Sequence, residues 1–163
     1  MINSSIAGMC VRQARKADLD ELAGLLQQLF TIEEDFRFDA ARQHRGLEML
    51  LDRDGAVVLV AEKENNVIGM CTGQLMISTA EGGHSLLVED VVVDEQWRGR
   101  GIGTGLLKAL EDWGEKKKVS RYQLLADKSN DAGIRFYRKH NWQQTELICL
   151  RKHPLMGTSK GKG

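Results

Sequence analysis

The sequence predicts an α/β fold, in which a mixed and mostly antiparallel sheet of six or seven strands is flanked by about four helices. Runs of β-branched and apolar residues alternate with segments whose apolar residues recur at helical spacing. Three strand candidates in the first half of the chain look antiparallel, whereas the second half alternates strand, helix, strand, helix, strand. This order favours a sheet with helices on both faces.

The composition is typical of one soluble globular domain. The 163 residues are 42% hydrophobic and 28% charged, and the 23 Lys and Arg balance the 23 Asp and Glu. Zero net charge gives no reason to expect nucleic acid or a membrane as a partner. We see no apolar run of about 18 residues and no secretory signal, so we expect a cytoplasmic protein. We assign residues 1–153 to the domain and 154–163 to a flexible basic tail.

Neither the cysteines nor the histidines indicate a metal site. Cys10, Cys71 and Cys149 are far apart and form no CxxC motif, so we expect reduced thiols. The four histidines show neither HxxxH nor HxH spacing, and we therefore expect no metal.

The first half of the chain contains two helix candidates and three strand candidates. Asp18 can cap the first helix, and Gly55 is well placed to end the second. The turn at residues 64–66 predicts a hairpin, because asparagine tolerates left-handed backbone. The predicted elements are strands 9–14, 56–62 and 67–78 and helices 19–29 and 39–51.

The second half begins with a β-branched strand that runs into a glycine-rich turn and then into a helix. Val91, Val92 and Val93 favour extended backbone, and from Ile102 the apolar residues fall on one helical face. The predicted elements are strands 86–93, 121–126 and 142–150 and helices 102–118 and 130–140.

The glycine-rich turn before the helix at residue 102 predicts an anion site. Gly99, Gly101 and Gly103 lack a Cβ, so the backbone can approach a ligand closely. A helix that begins in such a turn presents unpaired N–H groups and the positive end of its dipole, which suit a pyrophosphate. There is no GxxxxGKS/T motif, and Thr104 stands where a dinucleotide fingerprint needs Gly or Ala. A nucleotide- or dinucleotide-binding enzyme remains an alternative at this point.

Two motifs, in this order, resemble those of the GNAT superfamily of N-acetyltransferases. Arg98-Gly-Arg-Gly-Ile-Gly103 matches the acyl-CoA pyrophosphate loop of that superfamily, Q/R-x-x-G-x-G/A. The segment 130–142 looks like its N-x-x-A/S-x-x-F/L-Y-x-K/R-x-G-F/W/Y helix. The chain departs from the pattern at Gly133 and at Asn141, which replaces glycine but also tolerates left-handed backbone. The resemblance covers nearly the whole chain and implies a single GNAT-like domain with a central parallel pair of strands.

The resemblance implies acetyl-CoA as co-substrate and transfer of its acetyl group to a primary amine by direct attack in a ternary complex. Backbone groups of the valine strand would pair with the pantetheine arm, and the loop would hold the pyrophosphate. The implied cofactor-binding residues are Val91, Val92, Val93, Arg98, Gly99, Arg100, Gly101, Ile102, Gly103, Thr104, Asn130 and Phe136.

Two residues are the candidates for proton transfer. Tyr137 matches the superfamily tyrosine that lies near the thioester sulfur and serves as general acid. Strict alternation would place Glu89 on the face of Val91 and Val93, and Asp90 on the other. Related acetyltransferases with a similar Glu-Asp pair use the Glu near the amine, so Glu89 is the candidate base, acting through water. A substrate-orienting or salt-bridged carboxylate is the alternative role for Glu89.

The acceptor is expected to be a small-molecule amine bound near the segment between the first two helices. The candidate substrate residues are Phe30, Glu33 and Glu34, because an acidic cluster suits a polyamine or another cation. The three arginines within residues 37–45 would instead suit an amine that carries a phosphate or phosphonate.

Two alternatives to a small-molecule acetyltransferase remain open. One is a domain that binds acyl-CoA without turnover as a regulatory module, and the other is a protein or peptide N-acetyltransferase. We also expect a homodimer, because Trp142 and the apolar final strand could supply an interface.

Overall fold

The computed structural model describes residues 7–33 and 36–154. Its strands are β1 (Met9–Gln13), β2 (Ala56–Lys63), β3 (Asn66–Ser78), β4 (Gly83–Val93) and β5 (Val119–Leu124). Its helices are α1 (Leu19–Ile32), α2 (Ala40–Leu51), α3 (Ile102–Lys116) and α4 (Asp131–Lys139). The strands form one sheet in the order β1-β2-β3-β4-β5, antiparallel except for the parallel pair β4 and β5. The mixed α/β fold with four helices is confirmed.

Hydrophobic clusters lie on the two faces of the sheet. On one face, Leu106 of α3 packs with Leu86 of β4. On the other face, Leu22 of α1 and Leu47 of α2 pack with Met70 of β3. None of the helices within residues 7–33 and 36–154 combines the length and the apolarity needed to cross a membrane.

The predicted final strand, residues 142–150, is wrong. The described part of the chain forms five strands instead of six or seven, and this segment pairs with none of them. Leu147, Ile148 and Leu150 are 84%, 73% and 87% exposed. An apolar run becomes a strand only where an edge of the sheet accepts its hydrogen bonds. The homodimer expected through this segment stays a prediction.

Two predicted turns are confirmed by left-handed backbone. Asn141 has φ 65° directly after α4, so asparagine ends this helix where the motif has glycine. The hairpin between β2 and β3 turns at Glu64 and Asn65, with φ of 51° and 63°, and Asn66 already pairs with β2. The turn therefore lies one residue earlier than the two asparagines suggested.

The predicted capping of α1 by the side chain of Asp18 is wrong. The Asp18 carboxylate, in a residue only 7% exposed, accepts hydrogen bonds from the Arg12 guanidinium at 2.8 and 2.9 Å and from the Arg15 N–H at 2.7 Å. Arg12 Nε also donates to Glu62 Oε2 of β2 at 2.7 Å. The hydrogen bond from Arg12 lowers the pKa of Asp18. This network fixes the start of α1 against β1 and β2.

Replacing Arg12 with Met should lower the free energy of unfolding by about 2–3 kcal/mol, because the buried Asp18 carboxylate and the half-buried Glu62 carboxylate lose their partner. The matched variant Lys16→Met breaks the exposed Lys16–Asp52 pair and should cost under about 1 kcal/mol. The pKa of Asp18 is lowered by folding, so its contribution is present above about pH 4 and is lost as the pH falls through the folded value. Urea unfolding at pH 7 and pH 3 measures this, and an Arg12→Met penalty that grows in acid would contradict it.

Candidate active site

The sheet opens where β4 and β5 separate. Their parallel pairing ends at Val88 and Leu124, whereas β4 continues, paired with β3, to Val93. The stretch that contains Val91 and Val92 therefore has a backbone edge that β5 does not use. An extended ligand can pair with such an edge as an added strand would.

The glycine-rich turn leads from β4 into α3. Gly99 and Gly101 have φ of 73° and 82°, and Gly101 is the N-cap of α3. No side chain of residues 7–33 or 36–154 caps this helix, and the N–H of Gly105 is the first in it to bond back, to the Gly101 carbonyl at 3.1 Å. The N–H groups of residues 102–104 therefore form an open cradle at the positive end of the helix dipole. This geometry fits the predicted pyrophosphate site.

Two arginines flank the turn. Arg98 Nε donates to the Val93 carbonyl at 3.0 Å, which fixes the end of β4. The Arg100 guanidinium lies 4.9 Å from the centroid of the Trp97 ring, which also has the Lys63 ammonium at 4.8 Å. Both arginines are exposed beside the cradle. Their contact with phosphate stays a prediction.

Helix α4 packs against the start of α3 through aromatic side chains. A Cβ at Gly103 would lie 3.0 Å from the Phe136 ring, so this ring packs directly against the α3 backbone at Gly103. His140 Nε2 hydrogen-bonds the Thr104 hydroxyl at 2.8 Å, a contact that sequence reasoning missed. The Phe136 ring meets the ring of Tyr137 edge-on at 5.3 Å. These contacts position the tyrosine relative to the cradle.

Asn130 begins α4 as its N-cap. Its Oδ1 accepts a hydrogen bond from the Gly133 N–H at 3.0 Å. This use occupies the carbonyl oxygen of the side chain and leaves its amide nitrogen for the predicted contact with the pantetheine arm.

Tyr137 is half-buried, with its ring 5.9 Å from that of Trp142. Its hydroxyl makes no hydrogen bond to any residue in the described ranges. Burial raises the pKa of Tyr137 to about 12, and the nearby charges of Glu33, Cys71 and Asp90 contribute in the same direction. The hydroxyl is therefore protonated at neutral pH and is available as a donor.

A β-bulge interrupts the alternation that was predicted for β4. The pairing with β3 shifts register between Val88 and Val91, so Thr72 of β3 faces two residues, Glu89 and Asp90. Both valines pack against the α3 side of the sheet, although strict alternation would place them on opposite faces. The alternation is therefore wrong here and does not assign the faces of the two carboxylates.

The two carboxylates at the bulge differ in their surroundings. Glu89 is exposed, whereas Asp90 is half-buried against the fully buried Thr72. The Asp90 N–H donates to the Thr72 hydroxyl, and this hydroxyl donates to Asp90 Oδ2, each at 3.0 Å. Burial, and then the charge of Glu89, raise the pKa of Asp90 to about 6, although the Thr72 hydrogen bond opposes this shift.

Cys71 is unsuited to carry an acyl group. It is fully buried, and its Sγ donates to the Leu106 carbonyl at 3.7 Å. Burial, and then the charge of Asp90, raise the pKa of the Cys71 thiol to about 12. Since the thiolate is the nucleophilic form, this site favours direct transfer over a cysteine-bound intermediate.

Two of the three candidate substrate residues lie at the end of α1. Phe30 stacks on Phe36 at 5.4 Å, and the Arg151 guanidinium lies 5.2 Å from the Phe36 centroid. Glu33 follows the last turn of α1, and its negative charge contributes to the raised pKa of Tyr137 in α4. Glu34 lies outside the described residues. Nothing in the sequence singled out Arg151.

Comparison with known proteins gives one family match and several relatives. The model of the acetyltransferase (GNAT) family matches residues 20–142. Streptothricin acetyltransferase A of Bacillus subtilis is 26% identical over 113 residues, which are 68% of this chain and 62% of that protein. Aminoglycoside N(6')-acetyltransferase type 1 of Stenotrophomonas maltophilia is 26% identical over 151 residues, which are 89% and 93% of the two chains.

The fold is also that of solved acetyltransferases. A crystal structure of an aminoglycoside N-acetyltransferase in complex with CoA superposes with a TM-score of 0.78 at 20% identity, over 89% of this chain and 94% of that one. The chain spans only 62% of the length of the Bacillus subtilis relative, and the same share of an uncharacterized N-acetyltransferase of Methanocaldococcus jannaschii.

Proposed function

Because the chain belongs to the GNAT acetyltransferase family, we propose that it is an acetyl-CoA-dependent N-acetyltransferase that acts on a primary amine of a small molecule. The observation that carries this proposal is the N–H cradle at the start of α3, a site for the pyrophosphate of CoA. Two relatives are named as streptothricin and aminoglycoside acetyltransferases, which supports a small-molecule acceptor.

Acetyl-CoA would lie across the start of α3 and along β4. Its pyrophosphate would accept hydrogen bonds from the N–H groups of residues 102–104, with Arg98 and Arg100 beside it. Its pantetheine arm would pair with the open β4 edge at residues 91–93. Asn130 and Phe136 would contact the arm from the α4 side.

Tyr137 is the proposed general acid. The neutral amine attacks the thioester carbonyl, the C–N bond forms, and the C–S bond breaks as the departing sulfur receives the hydroxyl proton. The phenol oxygen takes a proton from the new, protonated amide nitrogen in the same step, which restores the hydroxyl. An amine that arrives as an ammonium must first lose one further proton to a base. The candidate base from the sequence is Glu89, which is exposed.

We favour a cationic amine over a phosphorylated one. The charges of Glu33 and Asp90 both act on Tyr137, so an ammonium that approaches the Tyr137 hydroxyl would be stabilised by them. The arginines at positions 37, 42 and 45, which would suit a phosphate, are exposed.

Thermal-shift titration tests the cofactor. CoA or acetyl-CoA at 100-fold its Kd should add about 2.7 kcal/mol to the free energy of unfolding, which raises Tm by several degrees, whereas NAD and ATP should have no effect. An amine panel scored by thiol release should follow. A shift with NAD alone, or none with CoA, would overturn the proposal. CoA binding with thiol release only on peptides would favour a protein acetyltransferase.

A further inference from the structure

Two adjacent carboxylates of β4 compete for the proton that the acceptor ammonium must lose. We propose that Asp90, held by Thr72 at the β-bulge, is the base that takes this proton, in place of Glu89. This inference rests on the proposed acetyl transfer and names a further residue of its site.

The bulge gives Asp90 a fixed orientation. Thr72 binds both its backbone N–H and its Oδ2, each at 3.0 Å, and Thr72 itself is fully buried. The second carboxylate oxygen, Oδ1, has no hydrogen-bond partner among residues 7–33 and 36–154 and so can accept one from a ligand. Glu89 is exposed and makes no hydrogen bond or ion pair within the same ranges. A base must be held within reach of its proton, and only Asp90 is held.

The charge of Asp90 also acts on the proposed acid. It contributes to the raised pKa of Tyr137, and so does the charge of Glu33. An ammonium that approaches Tyr137 therefore meets two carboxylates that stabilise its charge. Asp90 is affected by Glu89 of β4 and Thr72 of β3, and its own charge acts on Cys71 of β3 and on Tyr137 of α4. Glu33, beyond α1, acts on Tyr137 as well.

The acid strength of Asp90 suits this role. Its pKa is raised to about 6, first by burial and then by Glu89. It is therefore a stronger base than an ordinary Asp with a pKa of about 3.9, and it remains mostly ionised above neutrality. In the step, one ammonium proton moves to the carboxylate, which leaves a neutral amine and a carboxylic acid. Solvent removes this proton after the acetyl group has been transferred.

A ¹³C NMR titration of the aspartate carboxyl carbons, without substrates, tests the setting of Asp90. The resonance that is missing in Asp90→Asn identifies the group, which should titrate at about 6. Thr72→Val should raise this pKa because the anion loses a hydrogen bond, and Glu89→Gln should lower it because a negative neighbour is removed.

Kinetics tests the role, with the aminoglycoside sisomicin and the diamine putrescine as probe acceptors. The rate should increase as the pH rises through the pKa of Asp90, because only the carboxylate can accept a proton. This rise in rate is the acid limb of the pH–rate profile. In the wild-type protein, in Thr72→Val and in Glu89→Gln, the pH at its midpoint should equal the Asp90 pKa that NMR gives for the same protein. Asp90→Asn should lower kcat at least about 100-fold at pH 7.5 and remove the limb, while the thermal shift with CoA persists.

Three results would overturn the inference. One is an acid limb that persists in Asp90→Asn but is lost in Glu89→Gln, which would transfer the role to Glu89. The others are an Asp90 pKa at or below about 4, or one that Thr72→Val leaves unchanged. Failure of the wild-type protein to bind CoA would instead count against the proposed function, so the two failures are distinguishable.

Discussion

Tyr137→Phe should lower kcat by about 10²- to 10⁴-fold and leave the affinity for acetyl-CoA nearly unchanged. The ring would keep its edge-on contacts with Phe136 and Trp142. The hydroxyl has no hydrogen bond to a described residue, so the substitution leaves no polar partner unsatisfied in that part of the chain. The variant therefore removes a proton donor and little else.

The high pKa of Tyr137 restricts how this donor can act. A phenol of pKa about 12 is a weaker acid than a thiol of about 8.5, so full proton transfer to a free thiolate is unfavourable by roughly 5 kcal/mol. The hydroxyl should therefore pass its proton to the sulfur as the C–S bond breaks and take one from the protonated amide nitrogen in the same step, so that no separate phenolate forms. Since the phenol stays protonated, ionisation of the Tyr137 hydroxyl should cause no loss of activity below about pH 10.

Tyr122→Phe is the matched control. The Tyr122 hydroxyl donates to the Glu111 carbonyl at 3.1 Å, so its loss should cost about 0.5–1.5 kcal/mol of stability without a change in kcat. Unchanged turnover in Tyr137→Phe would contradict the acid role and would favour a module that binds acyl-CoA without catalysis. Steady-state kinetics and CoA thermal shifts on both variants decide between these outcomes.

The features that the sequence predicted well depend on neighbouring residues. The run Val91–Val93 followed by alternating glycines predicted a strand, a turn and a helix, and the structure has β4, the turn and α3 there. Asn141 was expected to accept left-handed backbone and does so. In each case the chemistry that determines the conformation lies within a few residues, where a single sequence displays it.

The features that it predicted badly depend on partners far along the chain. The segment 142–150 has a strand-like pattern, but a pattern shows which residues can be buried and not whether an edge is there to pair with them. Asp18 looked like a cap because its partner Arg12 could not be recognised. The choice between Glu89 and Asp90 depended on alternation, and the bulge opposite Thr72, 18 residues from Asp90, invalidates it. Tertiary structure alone supplies such information.

Gly101→Val should weaken the binding of CoA and acetyl-CoA by about 100-fold or more. Gly101 has φ 82°, a conformation that is strained for any β-branched residue. The turn must then rearrange, and the N–H groups of residues 102–104 lose their alignment. Each hydrogen bond to a charged phosphate contributes about 1.5–3 kcal/mol, so the loss of two is enough for this effect.

Gly55→Val is the control that separates the effect of backbone strain on stability from the effect of a damaged cradle on CoA binding. Gly55 has φ 83° between α2 and β2, so valine should suffer similar backbone strain there. Both variants should lose stability, but only Gly101→Val should lose the thermal shift with CoA. An equal loss of affinity in both would mean that strain acts through global stability and that the cradle is not the cofactor site.

Gly101→Val and Tyr137→Phe should also fail in different ways. A damaged cradle weakens ground-state and transition-state binding alike, so KM for acetyl-CoA should rise and kcat should recover at saturating concentrations. A missing acid acts only as the C–S bond breaks, so kcat should stay low however much acetyl-CoA is supplied. If Gly101→Val instead lowered kcat without raising KM, the turn would have to position the thioester as well as bind the pyrophosphate. That result would join the cradle and Tyr137 into one catalytic unit, through the contact of Gly103 with Phe136.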